Sequence, residues 1–236
     1  MSNYLKHMEG LGNSTAFTRR ASYLSHNYKK YLDYLQQVNG SVLEIGPGSG
    51  ELPSILNERG LTKIDLIDND SSVLAHCQKS YNINQIIKTK GDNPAKYLKA
   101  KYNLIVLTQV FEHIPKSEYL SWIRGLYDHL KPGGHIIITV PNGANPLSGT
   151  ERYGDLQHEN IFTVFSFREL MTFANLKNAK YIIKGFEIPP SNLLNLIRIF
   201  LQKILHSIFI LLMMINGAIY QTLMTPNITL VITRDK

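Results

Sequence analysis

Residues 42–50 read Val42-Leu43-Glu44-Ile45-Gly46-Pro47-Gly48-Ser49-Gly50. An apolar strand runs into a glycine-rich turn, with a carboxylate two places before the first glycine. The glycines let backbone approach a ligand without a Cβ in the way. A helix is expected to start at Gly50 or Glu51, its N-terminal amides facing the same ligand. Glu44 discriminates between ligands. A pyrophosphate wants positive potential at this point, and a carboxylate works against it. A cationic ligand tolerates it.

The spacing E-x-G-x-G-x-G resembles motif I of the class I S-adenosylmethionine (SAM) dependent methyltransferases. The dinucleotide fingerprint is G-x-G-x-x-G, and here the third glycine comes one residue early for it. From the loop alone, a dinucleotide enzyme and a purely structural turn stay open.

Outward from this loop, strand and helix patterns alternate, which implies a parallel sheet with helices on both faces. A tyrosine-rich leading helix is expected over 21–38. Strands are expected at 41–45, 63–67, 84–88, 103–108, 134–140, 180–187 and 227–233. Helices fall near 51–59, 71–79, 94–99, 116–130 and 167–176. Ser166-Phe167-Arg168-Glu169 has the form of a capping box. The fold expected is α/β: a Rossmann-like, seven-stranded, mostly parallel sheet with an apolar helical insertion before the last strand. One domain spans 1–236, with a helical lid at 1–40, a SAM-binding core at 41–142, an acceptor loop at 143–166 and the apolar segment at 192–223.

Two further acidic positions fit a nucleoside ligand. Ile64-Asp65-Leu66-Ile67-Asp68 is a strand ending in a carboxylate, the place where doubly wound folds hold ribose hydroxyls. The competing role, capping the next helix, can be filled by Asp70 or Ser71. Gly91-Asp92 follows the third strand and is either an adenine contact or an ordinary turn.

The fourth strand, Asn103 to Thr108, leads into Gln109-Val110-Phe111-Glu112-His113-Ile114-Pro115. Leu130-Lys131-Pro132-Gly133-Gly134 and Ile136 to Asn142 follow. This run resembles the motif II and III region of small-molecule class I methyltransferases, and the resemblance covers about residues 40–142. It implies SAM as cofactor, held by Glu44, Gly46, Gly48, Gly50, Asp68, Asn69, Asp92 and Gln109. No Pro-Pro-aromatic signature follows Thr108, which argues against base methylation of the amino-methylating DNA type. His113 either contacts substrate or shapes the turn together with Glu112.

The segment from Pro141 to Phe165 is long for a connection in a compact domain, and such loops are usually functional. It carries Pro141-Asn142, then Arg152-Tyr153-x-Asp155-x-x-His158-Glu159, then Phe162-Thr163-x-x-Ser166. This pattern is similar to that of a methyltransferase subgroup found with bacterial surface-polysaccharide biosynthesis, whose members are held to methylate sugar hydroxyls. A sugar hydroxyl is a weak nucleophile, so its methylation needs alignment and a base. Histidine titrates near neutrality and suits that role. His158 is expected as general base with Asp155 in support, and Arg152, Tyr153 and His113 on the acceptor. The alternative is that this cluster only pins the loop. No metal is expected, because clustered carboxylates of a magnesium site are lacking.

From Ile204 to Thr233 there is no Lys, Arg, Asp or Glu. Just upstream, Asn195, Arg198, Gln202 and His206 make one narrow polar stripe on an otherwise apolar helix. Intrachain packing, a homodimer interface and peripheral membrane attachment all fit such a segment. A full crossing does not, because the strand after Pro226 must rejoin the sheet.

The chain of 236 residues carries a formal net charge of +7 and a single cysteine, Cys77. An internal disulfide is excluded, in keeping with a reducing compartment. The first residues show no apolar signal core, so a cytoplasmic location is expected, with attachment to the inner face of the membrane through 192–223. The basic residues are spread rather than gathered into a basic-aromatic platform, and no nucleic-acid partner is expected. The function expected is SAM-dependent O-methylation of a sugar hydroxyl on a surface glycan or its lipid-linked precursor. Methylation of a quinone, lipid or other small metabolite is the alternative. A binding protein that keeps the fold without turnover would show a broken motif I or a lost ribose acid, and neither is present.

Overall fold

The structure, a computed structural model, describes residues 14–217 and 221–235. The expectations for residues 1–13, both the missing signal core and the first part of the lid, lie outside it. So do residues 218–220 of the apolar segment.

Seven strands form one sheet: β1 (Val42–Ile45), β2 (Ile64–Asp68), β3 (Gln85–Lys88), β4 (Tyr102–Thr108), β5 (Leu130–Pro141), β6 (Ala179–Gly185) and β7 (Asn227–Arg234). Their order is β3-β2-β1-β4-β5-β7-β6. β7 runs antiparallel to both neighbours, and all other pairs are parallel. This is the mostly parallel, Rossmann-like architecture that the sequence pattern predicts.

The helices are α1 (Ser14–Val38), α2 (Glu51–Glu58), α3 (Ser71–Ser80), α4 (Tyr119–Asp128), α5 (Gly149–Tyr153), α6 (Val164–Ala174) and α7 (Leu193–Ile215). Alternating strand residues feed two separate cores, as the pleat requires. Val42, Leu104 and Val106 pack with Leu32, Leu56 and Leu74 on the face covered by α1, α2 and α3. Leu43, Ile105 and Leu107 pack with Trp122, Ile123 and Phe167 on the face covered by α4 and α6.

Several boundaries differ from expectation. α1 begins at least as early as Ser14. The helix expected near 94–99 is a single 3-10 turn, Pro94–Tyr97, capped by Asn93. β5 starts at Leu130, and Lys131 to Gly134 bulge out between the pairs Tyr102↔Leu130 and Leu104↔His135. The capping box of α6 lies three residues earlier than expected. Thr163 is the cap, accepting from Ser166 N, while Ser166 Oγ accepts from Thr163 N. Both positions carry a hydroxyl, and Thr163 wins because its backbone is extended.

The topology places α7 with respect to the ligand-binding edge. In open α/β sheets, ligands bind outside the carboxyl ends of the parallel strands. β6 ends on that edge and β7 begins on it, paired through Gly185↔Ile228. α7 therefore leaves the sheet and returns to it at the edge where β1 and β4 end. Gln109, just past β4, ties the two together by donating from Nε2 to Asn227 Oδ1 at 3.1 Å.

α1 is bound into the same region. Tyr28 Oη lies 3.0 Å from Thr108 Oγ1 and 2.8 Å from Thr139 Oγ1, in a buried hydroxyl chain that continues to Thr229. Burial pushes the Tyr28 phenol up to about 12, so it stays neutral at any ordinary pH. From Leu24 onward, α1 is a layer of the core.

Candidate functional site: a cofactor cradle and an acceptor cluster on one sheet edge

The first part of the site is the turn after β1. Gly46, Gly48 and Gly50 all take positive φ, at 72°, 53° and 88°. Gly50 is the left-handed cap from which α2 starts. A Cβ on Gly46 would meet Val110 Cγ2 at 2.5 Å, and one on Gly50 would meet the Tyr81 ring at 2.3 Å. The glycines are thus required by backbone conformation and by protein packed against the turn.

Glu44 is 4% exposed and its Oε2 has no hydrogen-bond partner among the described residues. Burial raises its pKa well above the usual carboxylate range, with Glu51 and Asp68 adding to the effect. A buried carboxyl beside two other acids, at the end of a strand and below a helix N-terminus, calls for a cationic, hydrogen-bonding ligand. Asp68 is half-buried at the end of β2, and burial raises its pKa. Its Oδ1 accepts from Asp70 N at 2.8 Å, while Asp70 takes over the capping of α3 by accepting from Ser72 N. Asn69 is exposed beside it, against Gly91 of the next strand-end turn.

Asp92 is held locally. Its carboxylate accepts from Tyr97 Oη at 2.7 Å and from Lys96 Nζ at 3.0 Å, and these contacts lower its pKa. Gln109 is exposed, with a left-handed backbone at φ 55°. Such a conformation in a non-glycine residue is strained, and strain of this kind gathers at ligand sites.

The second part of the site lies just beyond Gln109. Glu112 is 1% exposed, and neither carboxylate oxygen has a hydrogen-bond partner among the described residues. Burial pushes its carboxyl up to about 8. His158 Nε2 stands 4.0 Å from Glu112 Oε1. The His113 and His158 rings lie 4.8 Å apart, centre to centre. His113 Nδ1 donates to Gln157 O at 3.2 Å, and burial lowers its pKa.

The loop 143–166 is fixed here by its backbone. Glu159 N and Asn160 N both donate to Glu112 O, at 3.0 and 3.2 Å. Beneath them, Phe111, Tyr119, Phe162 and Phe167 form one aromatic stack. Asp155, expected to support His158, is exposed, and its Oδ1 accepts from Gln157 N at 2.8 Å. The carboxylate 4.0 Å from His158 Nε2 is that of Glu112, which the sequence pattern showed only as a turn residue. Tyr153 is exposed on α5. The side chain of Arg152 lies outside the described residues.

A family model described as a methyltransferase domain matches residues 17–181. The chain belongs to the methyltransferase domain family. Solved structures agree at the level of fold. A SAM-dependent methyltransferase from Archaeoglobus fulgidus is 16% identical, with a TM-score of 0.61 over 90% of this chain and 93% of that one. The plantazolicin methyltransferase BpumL, solved with a triazolic desmethylPZN analog and SAH, is 22% identical, with a TM-score of 0.62 over 99% of this chain and 89% of that one. The methyltransferase domain of bacterial-CtHen1-C is 15% identical, with a TM-score of 0.56 over 91% of this chain and all of that one. Among curated proteins, no relative matches the chain.

This methyltransferase uses SAM, which supplies an electrophilic methyl group on sulfur. The turn after β1 fits it. Glu44 Oε2, a buried acceptor without a hydrogen-bond partner among the described residues, would suit the SAM ammonium, and Asp68 sits at the end of β2, the place where doubly wound folds hold ribose hydroxyls.

Proposed function

We propose that this methyltransferase methylates a sugar hydroxyl of a bacterial surface glycan or of its lipid-linked precursor, at the cytoplasmic face of a membrane. The observation that carries the reading is α7. This helix of 23 residues is apolar over most of its surface and has no buried residue. Leu193, Phe200 and Ile215 are 73, 64 and 73% exposed. The half-buried positions are Asn195, Gln202 and His206 of the polar stripe together with Ile199, Phe209, Ile210 and Met213, while Arg198 is exposed. The helix thus leans on the protein along one mixed polar and apolar stripe and leaves most of its apolar surface outward, unlike a helix folded into its own core.

A crossing does not suit it. α7 is about 35 Å long, and the eleven residues 216–226 that return to β7 would have to cross the bilayer in extended form. Extended backbone in lipid leaves its amides unsatisfied. Lying in the membrane interface satisfies both the apolar surface and the return path. Both ends of α7 are rooted on the edge that carries the cofactor turn and the Glu112–His113–His158 cluster, so an acceptor embedded by a lipid tail would present its head to that cluster.

The choice of a sugar rests on the Arg152 to Glu159 pattern, which resembles that of the polysaccharide subgroup, and on the chemistry a hydroxyl needs. The cluster next to Gln109 is where the acceptor oxygen is activated, with Arg152, Tyr153 and Asp155 on the acceptor side. No nucleic acid is needed by this reading.

The test is a fractionated transfer assay. Purified protein is incubated with methyl-labelled SAM and bacterial membranes, and the label is followed into glycolipid, simple lipid, protein and RNA. The reading expects label in a glycolipid fraction that moves to sugar fragments on mild acid. Label in quinone or simple lipid would replace the sugar by a small apolar acceptor, a substrate that the same exposed helix would serve. A soluble dimer with α7 protected from solvent would replace the membrane by a second copy of the chain.

A further inference from the structure

The groups around Glu112 come from two distant parts of the chain. Glu112 and His113 lie in the 3-10 turn after β4, and His158 lies in the acceptor loop. One ligating atom from each of the three side chains falls within 4.8 Å of the others. We propose that Glu112, His113 and His158 form a binding site for one divalent transition cation of the zinc or manganese type. The proposal rests on the reading of this cluster as the acceptor end of the site.

Three features support it. Glu112 is 1% exposed, and both of its oxygens lack a hydrogen-bond partner among the described residues. A buried carboxylate left in that state is costly, and ligation of a cation satisfies it. His113 donates from Nδ1 to the Gln157 carbonyl, which fixes the tautomer and leaves the Nε2 lone pair for a metal, the usual outer-shell arrangement of a ligating histidine. Finally, the backbone bonds from Glu159 N and Asn160 N to Glu112 O hold the loop that carries His158 against the turn that carries the other two groups, so the three are assembled before any ion arrives.

The ligand type selects the metal class. Two imidazoles and one carboxylate suit zinc, manganese and their neighbours better than magnesium or calcium, which prefer oxygen alone. Tetrahedral ligation at about 2.0–2.2 Å places ligand atoms about 3.4 Å apart. Side-chain movements on the order of 1 Å would close the observed cluster to that spacing. No metal was expected because the clustered carboxylates of a magnesium site are lacking; the fold instead brings Glu112 and His113 to His158.

Three protein ligands leave positions open, as in catalytic metal sites. The acceptor hydroxyl would take one of them and become more acidic. Its oxygen then attacks the sulfonium methyl in line. The new C–O bond forms as the C–S bond breaks with its electron pair going to sulfur. The hydroxyl proton passes to solvent, leaving a methyl ether, a proton and the neutral thioether.

The test is calorimetric titration of EDTA-treated, re-dialysed full chain with Mn²⁺ and, separately, Zn²⁺. SAM binding is measured on the same samples. The expected result is one site per chain, with affinity lowered about tenfold or more in Glu112→Gln, in His113→Ala and in His158→Ala, while SAM affinity stays at the wild-type value. His158→Gln backs up the alanine variant if that one fails to fold. Wild-type protein that binds SAM but neither metal would overturn the proposal, and so would variants that bind metal as tightly as wild type. Sugar methylation that persists in EDTA would also overturn it while leaving the proposed function standing. Metal bound at this site without transfer to sugar would support it and count against the acceptor instead.

Discussion

The two halves of the ligand edge are built in different ways. On the cofactor side, the turn after β1 is one continuous piece of chain, held by three left-handed glycines and by two side chains, Val110 and Tyr81, that occupy the space a Cβ would need. On the acceptor side, nothing is continuous. Glu112 and His113 come from the end of β4, His158 from a loop more than forty residues later, and α7 from an insertion between β6 and β7. Each half centres on a buried carboxyl without a full set of partners, Glu44 on one side and Glu112 on the other. The difference lies in what faces them. Glu44 has acids nearby and awaits a cation from outside, whereas Glu112 faces two imidazoles of the protein itself. A cofactor common to many enzymes can be held by a local motif, while an acceptor site has to be assembled by tertiary structure.

If the halves are separable, damage to one should spare the other. The largest effect is expected from Gly46→Val. It combines a β-branched residue at φ 72° with a contact to Val110 Cγ2 at 2.5 Å. SAM affinity measured by calorimetry should fall by about 100-fold. Asp68→Asn removes the charge that the ribose hydroxyls would meet. At about 1.5–3 kcal/mol for a charged hydrogen bond, SAM affinity should fall by about 10- to 100-fold, with metal titration of the acceptor cluster unchanged. Either variant that lost both ligands together would break the comparison.

The next effect belongs to the acceptor side alone. Leu194→Glu, Ile197→Glu and Leu201→Glu together put charge on the outward surface of α7, where these residues are 64, 48 and 56% exposed. Sedimentation with vesicles containing anionic lipid should fall about tenfold or more, and SAM affinity should not move.

The smallest expected effect sharpens the part played by Glu44. Its folded-state pKa is raised by burial, then by Glu51 and Asp68. A group raised in this way contributes stability that is fully present below its unfolded pKa and lost as pH rises toward and through its folded pKa. Glu44→Gln removes the loss. The ligand-free variant should gain on the order of 1 kcal/mol over wild type at pH 8, a Tm rise of about 2–4 °C, and little at pH 4. Its SAM affinity should fall. Thermal denaturation at the two pH values, with and without SAM, reads both outcomes.

The cofactor half was legible in the sequence because its signals are local. Nine residues from Val42 to Gly50 carry the strand, the turn and the carboxylate, and Asp70 takes the helix cap as the spacing implies, which leaves Asp68 at the strand end. The strand pattern gave the sheet because strand and helix periods alternate cleanly through residue 142. The acceptor half was not legible for the opposite reason. Glu112 reads as a turn residue until the fold brings the loop's backbone amides onto its carbonyl and His158 to its side chain. Asp155 reads as the partner of His158 because it lies three residues away; its Oδ1 accepts from the Gln157 amide, and the carboxylate that the fold adds beside His158 is Glu112. α7 shows its composition in the sequence but not its orientation. Only the structure shows that none of its residues is buried and that most of its apolar surface faces out.

The claim that joins the two halves is that a membrane-facing helix delivers the acceptor to a cofactor held on the same sheet edge. The most direct test is the rate of methyl transfer to glycolipid presented in anionic vesicles, compared between wild type and the triple α7 variant at saturating SAM. The account predicts that transfer falls about tenfold or more in the variant, in step with its vesicle binding, while SAM affinity is unchanged. Equal transfer by the two proteins to vesicle-borne glycolipid would contradict it.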